Sequence, residues 1–160
     1  MTIQYSDTLK NVKTLVTTHS SVQTTSSSAS TEVTLLGSEI DYTPSADSTK
    51  VVYEINFYSE KQGTPFMSCY LQYSTDSGSS FTNMNAKYRR NFGLGGSGSQ
   101  KNRWLNHWRF VIPTWSGERR LRIRLGCFQS SRTLDLHQVT EWDGTEQNIY
   151  CNTNLLVYSI

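Results

Sequence analysis

From residue 51 to residue 58 the chain alternates without a break, with Val51, Tyr53, Ile55 and Phe57 on one face and Val52, Glu54, Asn56 and Tyr58 on the other. A period of two puts successive side chains on opposite sides of an extended backbone, so this stretch predicts a half-buried β-strand. The polar corner before it, DYTPSADSTK at residues 41–50, is turned by Pro44. Later strands are expected to pack on the apolar face.

The alternation recurs twice. Met67, Cys69, Leu71 and Tyr73 share a face within residues 66–75, and Leu121, Ile123 and Leu125 point inward within 119–128 while Arg120, Arg122 and Arg124 point outward. Residues 33–40, 104–112, 133–139 and 149–160 each predict one further strand, and residues 22–27 an edge strand in a Ser/Thr-rich run. Turns are expected at KQGTP (61–65), DSGSS (76–80), PTWSGE (113–118) and 142–147. Only residues 1–16 carry a helical spacing, Leu9, Val12, Leu15 and Val16 behind Ser6 and Asp7. A short helix and an extended arm both fit it.

About eight to ten short strands in one chain of this length predict an all-β, two-sheet antiparallel sandwich, with a jelly roll as the natural match in size. The expected organisation is an N-terminal arm with its edge segment, 1–30, and a jelly-roll domain, 31–160. Composition agrees: hydrophobic content is 36% and charged content 18%, the balance being polar and β-branched residues that favour strands and turns. No stretch approaches the ~18 apolar residues of a membrane span, and the N-terminus has no apolar h-region. No membrane contact is expected.

The net charge of +2 hides a segregation. Residues 87–132 contain eleven bases and Glu118 as the sole acid, whereas the other acids lie before and after. Such a distribution either steers an acidic partner or lets the two sets meet across strands or subunits, the simpler reading. Cys69, Cys127 and Cys151 lack metal-type spacing and sit in strand-like runs, so buried thiols are expected. Ser74, Asp76, Gly78 and Phe81 resemble the Asp-box hairpin of sialidase-like propellers. Without a second copy, an Asx-type turn built by Asp76 and Gly78 is expected instead. GLGGSGS (93–99) lacks the Lys-Ser/Thr ending of a phosphate-binding loop.

Three segments resemble small jelly-roll domains of bacteriophage and other viral structural proteins. The first is QTTSSS followed by EIDYTPSADSTKVVYEI, whose Thr43, Pro44, Ser45 and Lys50 match a polar corner before a buried strand; the others are IPTWSGERRLRIRLG and the terminal NTNLLVYSI. That group is similar to the trimeric tumour-necrosis-factor and complement-head jelly rolls. The resemblance implies a virion location and a homotrimer, with Tyr53, Phe57, Trp104, Trp108 and Tyr158 as candidates for either the threefold contact or the core of one subunit. Arg120, Arg122 and Arg124 depart from the uncharged residues usual on those strands.

The chemistry-bearing residues do not assemble into a catalytic motif. His19, His107 and His137 have no metal-type spacing, Asp135 and His137 form at most one pair, and no serine lies in a nucleophile elbow. A non-enzymatic protein without cofactor or metal is expected: a capsid decoration (cement) or head-fibre protein anchored through its N-terminal arm to other virion proteins such as the major capsid protein. The alternative is a receptor- or glycan-binding tail-fibre tip. There Arg120, Arg122, Arg124, or Trp115 and Trp142 in their turns, would hold a host-surface sugar. Nucleic acid ranks third, since no binding motif accompanies the bases.

Overall fold

The computed structural model describes residues 9–26, 32–62, 66–84, 88–91, 101–127 and 133–160. Fourteen strands run through them: β1 (Lys10–Thr17), β2 (Gln23–Ser26), β3 (Val33–Thr34), β4 (Ile40–Tyr42), β5 (Lys50–Gln62), β6 (Phe66–Ser74), β7 (Thr82–Asn83), β8 (Tyr88–Asn91), β9 (Lys101–Pro113), β10 (Arg119–Cys127), β11 (Thr133–Leu136), β12 (Gln138–Trp142), β13 (Glu146–Tyr150) and β14 (Thr153–Ser159). All pairings are antiparallel, and the two larger sheets, A and B, face each other as a jelly-roll sandwich.

Sheet A is built on β5. One edge of β5 pairs with β9 along its whole length, Lys50 with Pro113 through Gln62 with Lys101. The other edge is shared in succession by β14 (opposite residues 51–56) and β11 (opposite Ser59 and Glu60), with β1 outside β14 and β2 outside β11. Sheet A is therefore four strands wide at either end, and two of its four positions change strand midway. Sheet B has β10 and β6 at its centre, β3 and β4 on the far edge of β10, and β7 and β8 on the far edge of β6.

The core follows the alternation. Val51, Tyr53, Ile55 and Phe57 of β5 face Met67, Cys69 and Leu71 of β6 and Leu121, Ile123 and Leu125 of β10, all fully buried. The Tyr53 hydroxyl, deep in that core, donates to the Ser38 carbonyl at 2.6 Å, so its burial leaves no orphaned polar group. Pro44 is buried in the corner it turns, where Ser45 donates to Asp47 (2.6 Å) and the Ser48 N–H to the Ser45 carbonyl (3.0 Å). Gly37 has φ +78°, and a Cβ there would lie 2.8–2.9 Å from Thr17 and Thr153. Only glycine fits where this turn presses on sheet A.

Several expectations are corrected. The helical option for residues 1–16 fails from residue 10 onward: Leu15 points into the core and β1 pairs with β14, so tertiary pairing outweighs a weak helical spacing. Residues 33–40 form two short strand ends separated by the Gly37 turn. Residues 133–139 break at His137, which has φ 65°, and residues 149–160 break between Tyr150 and Thr153. Between those breaks the chain leaves sheet A as a separate two-stranded ribbon, β12–β13, with Trp142 opposite Glu146. The GLGGSGS stretch, Gly63 and Pro65 of the predicted turn, and residues 1–8 lie outside the described residues.

Candidate interaction surfaces

The outer face of sheet B carries the arginines of β10. Arg120 lies directly across from Asp41 of β4 and grips it with two hydrogen bonds, Nε to Oδ1 at 2.8 Å and Nη2 to Oδ2 at 2.9 Å. A forked guanidinium matches a carboxylate in this way because both are planar. Hydrogen bonding to Arg120 holds the Asp41 carboxyl below the usual range. Arg122 donates to Gln72 of β6 (2.9 Å), lies 3.7 Å from Glu39, and rests its guanidinium 3.3 Å from the centre of the Phe81 ring. Partial burial and neighbouring Arg124 pull the Arg122 pKa down, with Glu39 acting against them. Arg124 donates to the Thr34 hydroxyl at 3.2 Å and to the Glu32 carbonyl. All three arginines named for a ligand are thus already engaged within the chain.

The hairpin beside this face is an Asx-type turn. Asp76 Oδ1 accepts from the Ser74 hydroxyl (2.5 Å) and the Ser80 N–H (2.9 Å), and Oδ2 accepts from the Ser80 hydroxyl (2.6 Å). Those donors drive the Asp76 carboxyl far below the ordinary carboxylate range. Gly78 takes φ +96° and packs beneath Arg120, whose Nη1 donates to the Ser77 carbonyl at 3.1 Å.

The outer face of sheet A is different. Its cross-strand rows run Val111–Val52–Tyr158, Arg109–Glu54–Leu156–Thr14, and His107–Asn56–Asn154–Val16, with Leu105 beside Tyr58. Leu105, Val111 and Val16 are 59%, 54% and 61% exposed. Arg109 and Glu54 are paired at 2.9 Å, and the Tyr158 hydroxyl donates to Glu54 (3.2 Å) and accepts from Arg109 (3.3 Å). His107 is bonded to Asn56 at 2.7 Å.

The aromatic candidates separate by position. Tyr53, Phe57 and Trp108 lie inside the sandwich, Trp104 packs partly buried against the same core, and Tyr158 alone of the five faces outward on sheet A. The two turn tryptophans also part company. Trp115 packs on the core edge-to-face with Tyr42 (6.2 Å), and the Arg119 guanidinium sits 5.1 Å from its ring and 4.4 Å from Tyr73. A ring covered in this way is not a sugar platform. Trp142, at the end of the ribbon, is 75% exposed. The ribbon is tied down at Thr140, whose hydroxyl donates to Glu60 Oε1 at 2.6 Å and whose N–H donates to Oε2. Arg103 lies 3.4 Å from the same buried carboxylate.

No family model matches the chain, and no curated protein does. Two solved structures of low similarity stand beside it. A chain in the structure of infectious bursal disease virus, Gx strain, is 14% identical over 99% of this chain and 41% of its own, with a TM-score of 0.39. One from the Gt strain is 14% identical over 96% of this chain and 37% of its own, with a TM-score of 0.37. The present chain therefore spans about two-fifths of the length of those viral chains.

Sequence reasoning missed one cluster. His19, in the β1–β2 connection, stacks on His137 with ring centres 3.8 Å apart and planes 14° from parallel. Both rings meet the Thr153 hydroxyl, at 2.9 and 3.0 Å. The positive-φ break at His137 was invisible because it falls inside an apolar run. Among the described residues no group of three His, Cys, Asp or Glu is arranged to hold a metal ion. Cys69 and Cys151 are free thiols, and burial pushes that of Cys69 well above its ordinary pKa.

Proposed function

We propose that this chain is a non-enzymatic structural protein of a virion, a homotrimeric jelly-roll module that decorates or caps the particle. Copies meet through the outer face of sheet A, and residues ahead of β1 anchor the module to another virion protein such as the major capsid protein. One observation carries the reading: Leu105, Val111 and Val16 stand exposed on a sheet face whose charged pair, Glu54–Arg109, is already neutralised. Apolar residues exposed on one face of the sandwich, spaced around that pair, suit a contact surface, whereas the opposite face is laced by its own arginines.

Sedimentation equilibrium over a range of concentrations tests this. The expected result is three times the chain mass at every concentration for the wild type, and a monomer for Val111→Arg, which sets an unpaired cation in the contact. A wild type that remains monomeric throughout overturns the trimer. It would shift the weight to a glycan-binding tip built around Trp142, the one tryptophan of the turn pair that stays open to solvent.

A further inference from the structure

The stacked pair His19 and His137 sits where sheet A changes strands: β1 gives way to β2 on one side of it, and β14 to β11 on the other. It is also the root of the ribbon, since the Cys151 N–H donates to the His137 carbonyl (2.8 Å) and the His137 N–H to the Tyr58 carbonyl (2.9 Å). Neighbouring contacts fix the protons. Gln23 Oε1 accepts the Leu36 N–H (3.0 Å) while Gln23 Nε2 donates to the Thr34 carbonyl (2.7 Å), so the amide orientation is set. His137 Nε2, 3.1 Å from that same oxygen, must therefore carry a proton and donate it. In the neutral ring His137 Nδ1 is then an acceptor and takes the Thr153 hydroxyl proton. Thr153 Oγ1 in turn accepts from His19 Nε2–H. The result is a one-way chain, His19 to Thr153 to His137 to Gln23, that closes only with His137 neutral.

A proton added at His137 Nδ1 would take away the acceptor of the Thr153 hydroxyl proton and set a cation in a fully buried site. A proton on His19 would press a cation onto the His137 ring. Among the described residues no acid is placed to compensate. From β5, Glu60 is spent on Thr140 and Arg103, and from β11, Asp135 accepts from the Thr24 hydroxyl of β2. From the end of β13, Cys151 carries a thiol that burial, and secondarily Glu141 of β12, keep protonated. Gln23 of β2, Phe57 of β5 and Thr153 of β14 complete the surroundings without charge. Accordingly burial, with His19 adding to it, pushes the His137 pKa down to about 3, and burial lowers that of His19.

We propose that His19, Thr153 and His137 form an acid-released latch that clamps the β1–β2 connection and the root of the β12–β13 ribbon to the sandwich at neutral pH. Opening the latch lets His137 take up a proton that the closed form refuses. The stabilisation is complete above the unfolded histidine value of about 6.5 and falls away as pH drops below it. For one proton, the local opening constant rises about thirtyfold between about pH 7.5 and about pH 5.

Amide hydrogen exchange on the full chain, corrected for the intrinsic pH dependence, reads this out. Amides of residues 18–25 and 137–152 should lose protection about thirtyfold across that interval relative to those of β5. A second arm uses His137→Gln, whose amide does not titrate in this range; the acid loss of protection should shrink to what His19 alone contributes, whatever the absolute level. Should that variant fail to fold, the imidazole resonances of wild-type His137 decide alone, and they should stay those of a neutral ring through pH 5. Protection in the wild type that is flat with pH, an equal acid loss in His137→Gln, or a His137 ring titrating like a free histidine would each overturn the latch.

Discussion

On the outer face of sheet B each outward arginine of β10 meets partners on the neighbouring strands or turns, whereas on the outer face of sheet A the outward positions of β9 and β1 present exposed leucine and valine. Both faces alternate on the same period and cover the same core. The difference lies in what the second side chain of each pair was given. Arg120 opposite Asp41 and Arg122 against Gln72 and Phe81 make a surface complete within one chain. Val111 opposite the buried Val52, and Val16 opposite Asn154, leave apolar side chains exposed among the described residues. A conspicuous basic stripe is thus paired within the chain, and the plainer face is the one that exposes apolar side chains.

The largest effect expected tests whether the arginines or the residues beneath them hold sheet B. Ile123 is fully buried between Arg122 and Arg124, and its side chain points the opposite way into the sandwich. Ile123→Ala should cost about 3 kcal/mol in denaturant unfolding, from lost transfer energy plus the cavity left behind. A cost below about 1 kcal/mol would mean that the core packs loosely there and that the outer rail bears more of the load.

Arg122→Ala comes next. Its guanidinium over Phe81 and its bond to Gln72 are partly exposed, so removal should cost about 1 kcal/mol in the same assay. If the loss is unmeasurable, the stripe is not self-sufficient and its arginines return as candidates for an outside partner.

How far these faces were legible in the chain depends on which contacts are local. The alternation of β5, β6 and β10 is a property of neighbouring residues, and it gave their inward and outward sides correctly. The partners of Arg120 and Arg122 come from residues far away in sequence, so charge segregation alone could not separate a paired stripe from a binding stripe. Trp115 and Trp142 both read as turn residues, yet Tyr42 and Arg119 cover one of them and nothing near in sequence foretells it. The ribbon could have been found: Asp143-Gly144 is a strong hairpin signal, and in the three-residue loop between Trp142 and Glu146 Gly144 takes φ +109°. His19 and His137 meet because β1 lies beside β14 and β11 beside β5 and β2 in sheet A, pairings that periodicity does not encode.

The smallest expected effect is the one that separates the two faces most cleanly. Val111→Thr keeps shape and β-propensity while replacing a methyl by a hydroxyl on an outward position of β9. In a single chain that hydroxyl is solvated, so unfolding at high dilution should change by no more than about 0.5 kcal/mol. In an assembly that buries Val111 the hydroxyl loses its water, and the wild type gains stability with protein concentration while the variant gains less. The deficit should therefore grow as concentration rises, whereas that of Arg122→Ala should stay constant because its contacts lie within one chain. A Val111→Thr deficit independent of concentration would show that sheet A, like sheet B, is finished within the single chain.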